Sequence, residues 1–344
     1  MRERAAASAD GIPTDALFDA LLQLPVKGLC RIRAVCRPWR GLISDPVFIA
    51  AHGARHPGPL FLAKFQDDKT SIYVVDLSGG VVKRIAGAGS GPYHQLLCTR
   101  LDLACVATDW NRCSVVNPAT GAVHVLPETS APEHWNRVNQ SNPYTLFALG
   151  RVAATGEHKV LRMFNRLGYR NGGQQVFEVF TVSSGGDGHA RRWRGHQGPG
   201  LFIDECNGTV VNGVVYFLTY SDYDGSHHGI RPDYILSFDL GVEEWRRDLR
   251  GPISSNAGDD EVLIFNRRQL ALAELNDYLV LAYHNQQPRT VDLWFLVDFG
   301  SGLWMKQYHM LTPPHEYSNL KPLLLLDDGR LVVFVAGRLF IRDP

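Results

Sequence analysis

The chain has no long hydrophobic run. Its longest, such as PLLLL and LVVFVA, fall far below the ~18 apolar residues that mark a membrane-spanning helix. The first residues, MRERAAASAD, hold no apolar segment of the kind a secretory leader needs. Net charge is missing too. The 35 Lys and Arg balance 35 Asp and Glu, so no overall field draws the molecule to nucleic acid or an anionic membrane. The only asymmetry is a net +3 over residues 1–58 against −3 for the remainder, too small to imply a polyanionic partner. Cysteine is sparse. Cys30, Cys36, Cys98, Cys105, Cys113 and Cys206 are all there is in 344 residues, with no C-x-x-C pair. That argues against a zinc finger and a disulfide framework, and predicts reduced, mostly buried thiols. No G-x-S-x-G elbow occurs. GAGSG (Gly87–Gly91) has neither the spacing nor the Lys-Ser/Thr tail of a phosphate loop and reads as a turn. These absences predict a cytoplasmic or nuclear protein with no cofactor, metal, membrane or nucleic-acid partner. The sequons at Asn139 and Asn207 are then idle.

What is present is an ordinary globular composition, 45% hydrophobic and 20% charged, split into two unlike parts. From Ile12 to His52 the apolar spacing is helical. Leu17, Leu21 and Leu24 fall at i, i+4 and i+7, and Phe18 and Leu22 widen the stripe. Thr14 or Asp15 is the expected cap and Pro25 the stop. A second helix is predicted over about residues 26–36, burying Leu29, Ile32 and Val35 or Cys36. Pro38 lacks an N–H and clashes with the turn before it. The chain is therefore expected to break near Arg37 and start a short third helix carrying Trp39, Leu42 and Ile43, ended by Ser44-Asp45-Pro46. Three short helices make a poor core alone, so a partner protein is the simplest completion. Arg31, Arg33, Arg37 and Arg40 alternate with apolar positions and read as the wet side of a protein interface. Cys30 and Cys36 read as core or interface thiols.

The segment IPTDALFDALLQLPVKGLCRIRAVCRPWRGLISDPVFIAAH resembles the F-box of plant F-box proteins along its full length. The family's L-P-x-D-L-L opening falls on Ile12–Leu17 and its R-L-P-x-K-S-L block on Gln23–Leu29. Its R-x-R-x-V-C-K-x-W-R-x-L-I-x-D-P-x-F block falls on Arg31–Phe48. Ile12 and Ala16 replace leucines, Asp19 and Ala20 stand for Glu-Ile, and Gly28 replaces serine. The resemblance implies docking on a Skp-type adaptor and, through it, on a cullin scaffold and a ubiquitin-conjugating enzyme, with this chain supplying substrate choice. It implies that Ile12, Pro13, Leu17, Leu21, Leu24, Pro25, Leu29, Val35, Cys36, Trp39, Leu42 and Ile43 form the adaptor face or its support.

After a Gly/Pro/His-rich joint, HGARHPGP, short runs of Val, Ile, Leu, Phe and Tyr alternate with turn residues. SIYVVDLSGGVVKRI, CSVVNPATGAVHVLP, YILSFDLGVEEWRRDL and LWFLVDFGSGLWMKQY each read as strand, turn, strand. An Asp or Asn at the strand end recurs at Asp76, Asn117, Asp239, Asp298 and Asp343, and a further copy lies near Ser183. The mean interval is about 53 residues, near the period of a β-propeller. The longer intervals predict loops at 129–144, 221–232, 251–260, 284–290 and 312–319. Residues 60–344 resemble the F-box-associated domain found behind plant F-boxes, in phrases such as NPATGAVHVLP, ILSFDLGVEEWR and LLLLDDGRLVVF. That likeness implies a kelch-like propeller. The expected fold is mainly β: a three-helix F-box over 10–52 after a disordered tail over 1–9, a linker over 53–59, then a propeller of about six blades. The chain stops at LFIRDP, where earlier copies continue into another strand. Ring closure is therefore expected either to borrow a strand from 60–85 or to leave a clipped blade with an open edge.

Other chemistry-bearing groups read as structural. Asp222, Asp224, Ser226 and Asp233 hold positions 1, 3, 5 and 12 of a calcium loop, but His227 stands where glycine is required. With His228 beside it, the stretch reads as a loop tip. Asp259, Asp260, Glu261, Asp327 and Asp328 read as solvated turns, and Trp193, Trp245, Trp294 and Trp304 as packing between strands. The resulting expectation is a substrate-recognition subunit of a cullin-type ubiquitin ligase with no active site, taking an unknown protein substrate on its loops. The alternatives are a non-degradative scaffold, and a ligand-binding or enzymatic propeller with a weakened F-box.

Overall fold

The computed structural model describes residues 13–24, 29, 32, 36–55, 58–65, 68, 70–87, 97–98, 103–107, 113–118, 120–135, 144–164, 175–182, 192–219, 233–253, 269–286, 288–312, 320–335 and 338–343. Among the described residues, the N-terminal helices with both ends defined are α1 (Thr14–Leu21), α2 (Arg37–Ile43) and α3 (Pro46–Arg55). Leu29 and Ile32, from the predicted second helix, are helical, and the rest of that segment lies outside the described residues. Helix α3 carries on to Arg55, into the stretch read as a joint from its Gly and His content.

The rest of the described residues are mainly antiparallel β structure, in six sheets. The first contains β1 (Phe61–Ala63), β2 (Ser71–Val75), β3 (Val81–Ala86) and β4 (Leu97–Cys98), in the order β3-β2-β1-β4. The second holds β5 (Ala104–Ala107), β6 (Cys113–Val116) and β7 (Val123–Val125). The third holds β8 (Tyr144–Arg151), β9 (His158–Phe164), β10 (Val176–Val182) and β11 (Arg194–His196). The fourth comprises β12 (Ile203–Val211), β13 (Val214–Thr219), β14 (Tyr234–Asp239), β15 (Glu244–Trp245) and β16 (Leu249–Arg250). The fifth comprises β17 (Leu270–Leu275), β18 (Tyr278–Gln286), β19 (Arg289–Asp298) and β20 (Leu303–Leu311). The sixth is β21 (Lys321–Leu325), β22 (Leu331–Val335) and β23 (Arg338–Arg342). The leading strands β5, β8, β12, β17 and β21 touch one another in succession.

The turns between strands follow from local chemistry. The strand-end carboxylates and amide fold back on the turns they open, as Asx residues do. Asp76 Oδ1 accepts the N–H of Ser78 at 2.8 Å and of Gly80 at 2.9 Å. Asn117 Oδ1 accepts Thr120 N–H at 2.9 Å. Asp239 and Asp298 accept the N–H of Gly241 and Gly300 at 2.7 and 3.0 Å. Two hairpins use a different device. Asn212 and Gly213 have φ of 48° and 78°, and Asn276 and Asp277 have 51° and 66°, the left-handed pair of a two-residue turn that matches strand twist. The predicted loop at 284–290 is a hairpin instead. Its residues continue β18 and open β19, with Asn285 paired to Thr290 and Gln286 to Arg289.

Both faces of a sheet are apolar, and successive sheets bury them against each other. Ile72, Val74 and Ile85 meet Ala104 and Val116. Cys113, Val115 and Leu126 meet Leu149, Val160, Phe180 and Trp193. Leu161, Met163, Phe177 and Val179 meet Ile203, Val215, Phe217 and Phe238. The fourth and fifth sheets join through Tyr216, Leu218, Leu272 and Leu281, and the fifth and sixth through Val280, Leu293, Leu331 and Val333. Phe61 and Val75 then pack with Leu323 and Val332, so the last sheet is a neighbour of the first. No strand is borrowed among the described residues. β23 pairs with β22, and β1–β3 pair within their own sheet.

Tryptophans tie the sheets together. Trp193 donates its indole N–H to Pro127 O at 2.8 Å, Trp245 to Gln197 O at 2.8 Å, and Trp304 to Arg250 O at 3.0 Å. Trp294 is different: its indole nitrogen is buried and meets no acceptor among the described residues.

Two polar nodes bind the third sheet to its surroundings. Arg162 on β9 and Glu178 on β10 are fully buried. Arg162 donates to Glu178 Oε2 from Nε at 2.8 Å and from Nη2 at 2.5 Å, and Nη2 also reaches Thr129 O at 2.9 Å. Glu178 Oε1 accepts Ala131 N–H at 2.8 Å and lies 3.1 Å from His134 Nδ1. The guanidinium stacks 3.7 Å from the Trp193 ring. The second node is Glu243, in the turn between β14 and β15. It receives Lys159 Nζ at 2.8 Å, Arg194 Nη2 at 2.6 Å and His196 Nε2 at 3.1 Å. Burial alone would raise the Glu243 carboxyl. Hydrogen bonds from His196, Arg194 and Lys159 outweigh it and hold the group well below its ordinary 4.5.

Arg162→Leu leaves Glu178 charged and buried without its partner, and a loss of about 3–5 kcal/mol is expected, read from the urea midpoint. Glu243 sets an acid limit. Its folded pKa lies below its unfolded one, so its stabilisation is complete above about pH 4.5 and drains as pH falls through the folded value. Urea midpoints measured from about pH 6 down to about pH 2 should therefore fall more steeply in the wild type than in Glu243→Gln.

Candidate protein-docking site

The helical unit is built around one apolar cluster. Leu17 and Leu21 stand one turn apart on α1 and meet Leu22, Leu29, Ile43 and Phe48, all buried. Pro13 rather than Thr14 or Asp15 caps α1. Its φ of −57° and ψ of 140° are extended, no side chain caps the helix, and Leu17 N–H reaches Pro13 O at 3.0 Å. Proline's fixed φ suits a position just outside a helix, and Asp15 still meets the dipole in the first turn. Cys36 is extended, with φ −153°, and α2 begins after it with Pro38 in its first turn. A missing N–H does no harm there, because first-turn donors have no intrahelical acceptor. Asp45 Oδ1 accepts Val47 N–H at 2.7 Å and caps α3.

The docking residues expected from the sequence divide by burial. Leu17, Leu21, Leu29 and Ile43 are core. Leu24, Trp39 and Leu42 pack against that core while half-buried, and Cys36 is half-buried too. Pro13 is exposed. Ile12, Pro25 and Val35 lie outside the described residues. Arg37 and Arg40 are exposed, on the wet side expected of them, and Arg31 and Arg33 lie outside the described residues. On α1 the outward residues are Asp15, Ala16, Asp19 and Ala20.

Two residues that close the unit were missed. Phe48 is 1% exposed and meets Phe18 edge-on, with ring centroids 5.1 Å apart. His52 stacks on Phe48 and its Nε2 lies 2.8 Å from Leu24 O, so α3 holds the end of the α1 segment. Their i, i+4 spacing was the available signal.

On the β body, the loop candidate 221–232, half of 129–144 and most of 251–260 and 312–319 lie outside the described residues, as do Asp222, Asp224, Ser226, His227, His228, Asp259, Asp260 and Glu261. Asp233 is fully buried and accepts Ile253 N–H at 3.0 Å, a structural anchor. Asp328 accepts Arg330 N–H at 3.0 Å within its turn, as read. Trp135 was not singled out. A short 3-10 turn, Pro132–His134, precedes it; Glu133 accepts Gly195 N–H at 3.2 Å and His134 is buried on Glu178. The turn is thus held from both sides, and Trp135 beside it is 76% exposed. Among the described residues no three His, Cys, Asp or Glu side chains gather as a metal site, and no helix is long and apolar enough to cross a membrane.

The described residues thus form a helical unit with a half-buried apolar rim ahead of a body of stacked antiparallel sheets. The comparisons with known proteins agree. Residues 9–50 match the F-box-like family, and residues 87–335 match the F-box associated beta propeller domain. The chain is 24% identical to F-box protein At3g07870 of Arabidopsis thaliana, over 97% of this chain and 85% of that one. It is 28% identical to F-box protein CPR1 of the same plant, over 94% and 79%. It is 25% identical to the putative F-box/kelch-repeat protein At3g17280, over 93% and 81%. The chain belongs to the F-box proteins that carry an F-box associated β-propeller domain, a family of substrate-recognition adaptors.

The division between core and rim is directly measurable. Leu21→Ala in the full chain removes buried volume and should cost the helical unit about 2–5 kcal/mol. Amide exchange over residues 14–24 should then accelerate while the sheet amides keep their protection. Pro13→Ala should leave both regions unchanged.

Proposed function

We propose that this chain is the substrate-recognition subunit of a cullin-type ubiquitin ligase. The F-box helices dock on a Skp-type adaptor and the β body carries the substrate. One observation carries the reading: Leu24, Trp39 and Leu42 pack on a core that is already closed, yet each keeps part of its surface in water. A partner's apolar groove completes their burial. The six sheets are six blades of one ring, closed by Phe61 and Val75 against Leu323 and Val332. The succession of inter-sheet clusters supports that closure. Loops at the blade ends, together with Trp135, form the substrate surface.

A second reading rests on Ala16 and Ala20, which are exposed on α1 where larger side chains would extend the apolar face. It makes the chain a scaffold that binds the adaptor without recruiting cullin.

Co-purification of the full chain with a Skp-type adaptor and a cullin tests both. The wild type should bring down the two together. Trp39→Ala should weaken adaptor affinity about 30-fold, the size of an interface hot spot, with unchanged circular dichroism. A wild type that binds no adaptor refutes the proposal, and adaptor without cullin supports the scaffold.

A further inference from the structure

The second sheet carries two thiols that the proposed docking role leaves unexplained. Cys105 on β5 pairs with Val115, and Cys113 on β6 pairs with Ala107. Cys113 and Val115 are two apart on one strand, so the cysteines share a face of the sheet. Their sulfurs are 2.9 Å apart, closer than the roughly 3.5–4.0 Å at which unbonded heavy atoms settle. Both are free thiols, and they are unequal. Cys113 is 2% exposed, sealed among Val115, Leu126 and Trp193, whereas Cys105 is half-buried at the margin of that cluster. Burial pushes the Cys113 thiol up, and neighbouring Cys105 adds to the shift, so Cys113 is a poor first nucleophile.

We propose that Cys105 and Cys113 are an oxidative modification site, closed to an intramolecular disulfide by a hydroperoxide such as hydrogen peroxide. The Cys105 thiolate attacks one peroxide oxygen. The O–O bond breaks, hydroxide leaves and takes a proton to become water, and Cys105 becomes a sulfenic acid. The Cys113 sulfur then attacks the Cys105 sulfur. The S–O bond breaks, and the departing hydroxide carries off the Cys113 proton as a second water. Two thiols are oxidised by two electrons and one peroxide is reduced. The bond ties β5 to β6 at the seam between the second and third sheets, and a thiol reductant reopens it.

The sequence makes the test direct. Tryptic cleavage after Arg100, Arg112 and Arg137 puts Cys105 in Leu101–Arg112 and Cys113 in Cys113–Arg137, each the sole cysteine of its peptide. Reduced full-length protein is treated with graded hydrogen peroxide, alkylated, digested and weighed. The expected product is the linked pair of these peptides, 2 Da lighter than their sum and split by dithiothreitol. The oxidised protein should melt a few degrees higher, reverting on reduction. In Cys113→Ser, Cys105 should accumulate as a dimedone-reactive sulfenic acid that the wild type does not hold. The proposal is overturned if wild-type Cys105 and Cys113 stay alkylatable, if Cys105 passes to sulfinic acid unlinked, or if the link forms only in denatured protein.

Discussion

A sheet in this chain is apolar on both faces, and neither face can be left to water. That constraint governs the rest. The third sheet turns Val160 and Phe180 toward the second sheet, and Leu161, Phe177 and Val179 toward the fourth. The fifth sheet does the same with Leu272 and Leu281 on one side and Val280 and Leu293 on the other. A linear stack built this way would end on two bare faces. Phe61 and Val75 of the first sheet pack with Leu323 and Val332 of the last, so those apolar side chains cover one another. Contact between the first and last sheets is thus made by buried side chains, while β1–β3 and β23 keep to their own sheets.

Arg162 and Glu178 are the exception inside that apolar stacking. Two charges in a place this dry are tolerable only when every donor and acceptor is matched. The matching groups come from residues 127–134, the segment joining the second sheet to the third. The pair thus fixes the path of a connection rather than a strand. Trp193 covers the guanidinium and bonds to the same segment, so packing, stacking and hydrogen bonding meet at one point.

Much of this was legible in the sequence, for physical reasons that can be named. Asp76, Asn117, Asp239 and Asp298 announce turns because a short polar side chain satisfies local N–H groups without tertiary help. The leucine stripe of α1 and the break before Pro38 are local as well. What escaped was non-local. Arg162 and Glu178 look like ordinary alternation on a strand, and only the distant 127–134 segment makes them a node. His52 looked like part of a joint because its acceptor, Leu24 O, lies 28 residues away. The stretch 284–290 looked like a loop because its Asn, Gln and Pro are turn residues by composition, whereas long strands on both sides carry the hairpin through them. In the F-box, the expected docking residues could not be separated from sequence alone into core, such as Leu21, and half-buried rim, such as Trp39.

The tryptophan bonds share one direction. Trp193 reaches back to Pro127, Trp245 to Gln197 and Trp304 to Arg250. In each case the acceptor lies earlier in the chain than the donor. Each of these indoles is therefore anchored to backbone that precedes it in the chain. The contact between first and last sheets is of the opposite kind: Phe61 and Val75 are covered by Leu323 and Val332, which come from the far end of the sequence.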